Sequence, residues 1–152
     1  MTGLAPAELG LLEAARRATL ATIAPDGRPR LVPVCYAVLP GGGDESSAAA
    51  LWIPLDAKPK AVADVRLLAR VRDIARDPRV TILVDRWSED WDALGWVRLE
   101  GEAVLVEPPT EAEVASELLR RYPQYADHDL GRRPALRCVV QRVTSWTGSR
   151  DG

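Results

Sequence analysis

Short, β-branched runs separated by turn signals are the feature that most limits how this chain can fold. Residues 18–24 and 30–39 read as two strands flanking Pro25-Asp26-Gly27, a strong turn sequence, and so form a hairpin. Residues 48–55, 79–84, 95–107 and 136–143 supply four further strand-like segments. Within 95–107, Val97 and Leu99 face one way and Trp96, Arg98 and Glu100 the other. Past Gly101 the apolar residues Val104 and Val106 fall on the formerly polar side, which predicts a bulge or a barrel corner there. Six strands, mostly joined as hairpins, favour a mainly β (α+β) antiparallel barrel over a doubly wound sheet.

Two or three peripheral helices complete the expectation. One begins near Pro6 and carries Leu11, Leu12 and Ala15. Over residues 66–76, Leu67, Leu68, Val71, Ile74 and Ala75 share one helical face, opposite Arg70, Arg72, Asp73 and Arg76. Asp77-Pro78 stops that helix, because a residue before proline avoids the helical region. Thr110-Glu111-Ala112-Glu113 reads as a capping box opening a third helix, with Val114, Leu118 and Leu119 inward and Pro123 at its end. With 152 residues and no linker or repeat, the chain (1–152) is expected to form a single domain, with 148–152 as a disordered tail.

Composition excludes several functions. A net charge of −2 gives no global basic field for nucleic acid. No apolar run approaches the roughly 20 residues of a membrane helix, and Met1 to Gly10 lacks the pattern of a signal peptide, so a cytoplasmic location is expected. Cys35 and Cys138 stand apart in apolar runs, which argues against a disulfide or a metal site. There is no phosphate-loop fingerprint and no nucleophile elbow; Gly41-Gly42-Gly43 opens no helix. His128, the sole histidine, lies in a polar loop and is assigned no role. Asp85, Glu89, Asp90 and Asp92 are irregularly spaced and interrupted by Arg86, as in a solvated loop.

The basic residues are less ordinary. Of 20 Lys+Arg, lysine stands only at Lys58 and Lys60, and the other 18 are arginine. Both lysines fall in Leu55-Asp56-Ala57-Lys58-Pro59-Lys60, after a strand and before a helical segment, where ammonium groups can meet a phosphate. Arg28 and Arg30 add positive charge in the first hairpin, and Trp52, Trp91 and Trp96 offer flat surfaces for a ring. A chain without acid–base or metal machinery can still be an enzyme if a cofactor carries the chemistry.

The residues Ala18-Thr19-Leu20-Ala21-Thr22-Ile23, Asp26-Gly27-Arg28-Pro29, Val32-Pro33-Val34 and Leu55 to Lys60 resemble, in that order, the pyridoxamine-phosphate-oxidase-like split β-barrel family, an FMN-binding fold. Asp77-Pro78-Arg79-Val80 and Trp96-Val97-Arg98-Leu99-Glu100-Gly101 continue the resemblance, which spans about residues 17–147. Lys58-Pro59-Lys60 with Asp85, Asp90-Trp91 and Trp96-Val97-Arg98 is similar to the deazaflavin (coenzyme F420)-dependent branch. The arginine-rich C-terminal substrate motif of the true oxidases is missing from Arg142 to Arg150, which disfavours vitamin B6 oxidation.

The resemblance implies a homodimer with cofactor sites at the interface, acting on a small-molecule substrate and on neither nucleic acid nor membrane. It implies that Arg30, Val32, Pro33, Val34 and Cys35 line the ring and ribityl chain. Ile53, Pro54, Leu55, Asp56, Ala57, Lys58 and Lys60 would hold the ring edge and phosphate. Trp91 and Trp96 would reach the cofactor or substrate from the facing subunit, and an anionic cofactor tail could follow Arg66, Arg70 or Arg72. The expected function is F420-dependent hydride transfer to a small conjugated substrate, with Tyr36 as a candidate proton donor. The alternatives are an FMN-dependent reductase and a non-catalytic carrier of flavin-like molecules.

Overall fold

A computed structural model describes residues 3–41, 48–55 and 64–149. Its strands are β1 (Ala18–Ile23), β2 (Pro29–Val34), β3 (Ala37–Pro40), β4 (Ala49–Pro54), β5 (Arg79–Arg86), β6 (Gly95–Val106) and β7 (Ala135–Thr147). The helices are α1 (Pro6–Ala14), α2 (Ala69–Arg76) and α3 (Ala112–Arg121), supplemented by short 3-10 turns. Strand order is β2-β1-β5-β6-β7-β4-β3, with every paired neighbour antiparallel.

Seven strands are present among the described residues where six are expected. The run 30–39 divides at Cys35 and Tyr36 into β2 and β3, which lie at opposite edges of the sheet. Because only two residues join these edges, the sheet has to curl until they approach, yet no ladder closes them. The result is a split barrel rather than a closed one.

Side chains, not a ladder, satisfy the backbone at this crossing. Tyr36 N–H donates to the Tyr122 hydroxyl at 3.1 Å, and its carbonyl accepts from Arg121 Nε at 2.8 Å. Its own hydroxyl donates to the Leu12 carbonyl at 2.6 Å. Burial pushes the phenol well above its ordinary pKa, although the Arg121 guanidinium pulls it down. Tyr36 is therefore a core pin, and its expected part as proton donor is not supported.

Two apolar cores result. The main one fills the barrel interior with Leu20, Tyr36, Leu51, Ile53, Leu55, Ile82, Val97 and Leu99, and α1 and α2 close it with Leu12, Val71 and Ile74. The second lies on the opposite face of β3, β4 and β7, where Val114 and Leu118 of α3 cover Trp52, Ala37 and Ala50. Every residue of β4 is buried, since it separates the two cores. Trp52 is 4% exposed and belongs to the second core, so it offers no ring surface.

Local details depart from sequence expectation in instructive ways. The β6–β7 register does shift between Glu100 and Gly101, but Gln141 of β7 is the extra residue and β6 keeps its alternation. Val106 faces the second core, while Val104 stays 47% exposed. A Cβ on Gly101 would lie 1.9 Å from the Val139 carbonyl oxygen, which explains the glycine. The capping box does not form: Thr110 Oγ1 donates instead to the Arg133 carbonyl at 2.8 Å, and α3 starts after Glu111. Residues 65–67 form a 3-10 turn ahead of α2, and Leu67, Ala75 and Leu119 are exposed rather than inward. Asp73 is buried, not part of the outward polar face.

Candidate functional site

Strand β2 is an open edge. The Ala24 N–H donates to the Arg28 carbonyl at 2.9 Å, closing the hairpin and setting Arg30, Val32 and Val34 as the pairs hydrogen-bonded to β1. Pro29, Leu31 and Pro33 therefore turn their backbone toward the open edge, where both prolines lack a donor. Leu31 contributes the N–H there, between carbonyl oxygens.

On the inward face of β2, Val32 and Val34 pack in the main core with Ile53 and Leu55. The structure thus brings four of the expected cofactor residues together, but as barrel interior rather than as a ring shelf. Pro54 is buried beside them, and Cys35, partly exposed, begins the crossing to β3. Asp56, Ala57, Lys58 and Lys60 lie outside the described residues. Their flanks are fixed: Leu55 N–H donates to the Pro134 carbonyl at 3.2 Å, and Asp64 caps Arg66 N–H at 3.0 Å.

Arg30 shares the inward face of β2 but reaches outward at its tip. Its Nε donates to Asp73 Oδ2 of α2 at 2.7 Å, while 41% of its side chain is exposed. Asp73 also accepts from Thr22 Oγ1 at 2.8 Å and Arg76 Nη2 at 3.2 Å. Burial raises the Asp73 pKa, but the bonds from Arg30, Thr22 and Arg76 outweigh it and hold the carboxyl below its ordinary value. Other arginines are committed elsewhere. Arg66 binds Glu107 and Asp64, and Arg28, largely exposed, pairs with Asp26.

The outward face of β2, β1, β5 and β6 carries a groove of about 520 Å³ lined by Thr19, Ala21, Leu31, Thr81, Leu83, Asp85, Trp96 and Arg98. That volume lies within the roughly 300–1,000 Å³ of small-molecule sites. Leu31 is 65% exposed and Leu83 39%, so apolar side chains are presented rather than packed. Trp96 faces Trp146 directly across the β6–β7 ladder, and the Arg98 guanidinium sits 5.7 Å from the Trp96 ring centre. Of the predicted tryptophans, Trp96 belongs to this groove, whereas Trp91 is 73% exposed on the β5–β6 connection. Leu31 and Leu83 were not singled out in the sequence. Leu31 sits on a strand apolar on both sides, and Leu83 is the lone apolar residue among Arg79, Thr81 and Asp85 on the outward face of β5, where alternation alone gives no warning.

Chemically, the groove can bind a flat apolar ring but holds no acid–base pair. Cys138 is buried, and burial pushes its thiol up to about 12, so it is no nucleophile. No group of three metal-ligating side chains occurs among the described residues.

The sequence profile of the pyridoxamine 5'-phosphate oxidase family matches residues 4–147. The chain belongs to that family. This pyridoxamine 5'-phosphate oxidase-family protein shares its split barrel with a conserved hypothetical protein, Rv2991, from Mycobacterium tuberculosis: 28% identity, TM-score 0.68, covering 95% of this chain and 86% of that one. An F420 reductase aligns at 20% identity and TM-score 0.61, covering 89% and 94% of the two chains. The heme storage protein HutZ from Vibrio cholerae aligns at 16% identity and TM-score 0.62, covering 96% and 95%. The last two show the shared fold alone. No curated protein matches the chain by sequence. The family is one of flavin-binding split barrels and includes oxidoreductases.

Proposed function

We propose that this family member is an F420-dependent oxidoreductase, working as a homodimer on a small conjugated substrate. The observation that carries the reading is the outward apolar groove: Leu31, Leu83 and Trp96 stand exposed on the same strand face as the Arg98 guanidinium. An apolar shelf bordered by an anion donor suits a phosphate-bearing ring cofactor. When bound, that cofactor supplies the hydride-carrying ring.

The chain's residues bind, orient and exclude water. Lys58 or Lys60 neutralises the phosphate, Arg30 adds a second cation, and the β2 edge from Arg30 to Cys35 aligns the ring and ribityl chain. Trp96 and Trp91 reach the ring or substrate from the partner subunit. Association through the groove face fits the same reading. Asp85 and Arg98 lie within one patch, and a two-fold axis can bring the acid of one copy to the base of the other. The F420 reductase with the same fold supports deazaflavin over FMN, as does the Lys58-Pro59-Lys60 segment.

Fluorescence titration of the purified protein with F420 and with FMN tests the choice. Tighter F420 binding is expected. Tighter FMN binding transfers the site to the flavin, and binding without turnover on quinones and enones makes the protein a carrier.

A further inference from the structure

The Asp73 carboxylate has a cost that the fold alone does not explain. Its residue is 1% exposed, and a buried charge is tolerated only when paired and hydrogen-bonded. Helix α2 could have met β1 with an apolar residue at this position, as it does with Val71 and Ile74. Instead Asp73 gathers Thr22 of β1, Arg30 of β2 and Arg76 of its own helix. The two arginines outnumber the one acid, so the cluster keeps net positive charge, exposed on its arginine side.

The bond to Arg30 has a particular geometry. Asp73 takes Nε, the nitrogen nearest the backbone, through a single contact at 2.7 Å, while the same side chain stays 41% exposed. Among the described residues, the Arg30 guanidinium hydrogen-bonds through Nε to Asp73, and its terminal nitrogens make no hydrogen bond. A guanidinium gripped at Nε has its outer N–H groups fixed in direction, and little entropy remains to be lost when they meet an anion.

We propose that Asp73 is a positioning residue that fixes Arg30, so that the terminal guanidinium nitrogens are preset to receive an anionic oxygen of the bound cofactor. This rests on the reading of the chain as a flavin-type cofactor protein. The carboxylate touches no ligand, and its effect passes entirely through Arg30.

The test is a double-mutant cycle read by fluorescence titration with F420 and with FMN, at a temperature where circular dichroism shows each variant folded. Asp73→Asn should weaken binding of the cofactor the wild type prefers by about tenfold, the scale of one charge-assisted hydrogen bond. Arg30→Gln should weaken it by at least as much, and Arg30→Gln/Asp73→Asn by no more than Arg30→Gln alone. Asp73→Glu keeps the charge but moves the carboxylate by a methylene, and should show an intermediate loss. If Asp73→Asn does not fold, Asp73→Glu alone decides. Wild-type affinity in the folded Asp73 variants overturns the proposal, as does an Asp73→Asn effect that persists undiminished without Arg30. If the wild type itself binds neither cofactor, the functional reading falls and carries this proposal with it.

Discussion

Arg121 donates its Nε–H to the carbonyl of Tyr36 at 2.8 Å, joining residues 85 positions apart at the point where the chain crosses between the two sheet edges. The same guanidinium, only 2% exposed, also donates to the carbonyls of Leu12, Glu13 and Ala15 at 3.3, 3.1 and 2.8 Å. It therefore satisfies both the C-terminal end of α1 and the break between β2 and β3. Its ring contacts with Tyr36 and Tyr122, at 4.8 and 5.5 Å, stack the cation between the phenols.

Replacing Arg121 with Met keeps the volume and removes every one of these donors. Buried carbonyls left without a partner cost about 1–3 kcal/mol each, so Arg121→Met should lose at least about 3 kcal/mol of stability. Urea denaturation gives the value. A loss under 1 kcal/mol, on the order of an ordinary surface change, contradicts the pin.

Gly101 faces the Val139 carbonyl so closely that a methyl group cannot enter without moving the β6–β7 backbone. Gly101→Ala should therefore destabilise by about 2–4 kcal/mol, whereas Gly131→Ala, with open space around its Cβ position, should be nearly neutral. Thermal melts of the two variants side by side check the contrast.

Acid should expose the contribution of Asp73. Its folded pKa lies below the ordinary value of 3.8, so its stabilisation is complete above that value and disappears as pH falls through the folded one. The stability gap between wild type and Asp73→Asn should be constant near pH 7 and narrow steadily below about pH 4. A gap independent of pH down to about pH 2 shows that the carboxylate charge is not what stabilises.

Leu31, at 65% exposure, contributes little to the isolated fold. Leu31→Arg should leave the melting temperature of the monomer within about 2 °C, while shifting light-scattering mass from two copies to one. An unchanged mass separates association from the groove face.

Much of the barrel was legible because its turns are local. Pro25-Asp26-Gly27 sets the first hairpin, with Gly27 at a φ of 84°, and Asp77-Pro78 ends α2 where a helix would otherwise continue. The β2–β3 break was not legible, since Cys35-Tyr36 carries no glycine or proline. Its cause is distant, in Arg121 and Tyr122. Asp73 was hidden for a related reason. Helical periodicity assigns a charged residue outward, and Thr22 and Arg30, from strands earlier in the chain, join Arg76 of its own helix to make its burial tolerable. The groove is not legible either, because its apolar members Leu31 and Leu83 come singly from two strands and meet only across the sheet.

The two prolines on the open side of β2 reach beyond the single molecule. An exposed strand edge with a full row of donors recruits further strands and can propagate without limit. Pro29 and Pro33 remove alternate donors from that row, so copies meeting edge to edge gain few bonds. The proposed dimer is thereby left to the flat side of the sheet, where a patch that pairs with itself stops at two. Backbone chemistry at two positions thus favours a finite assembly over a fibre.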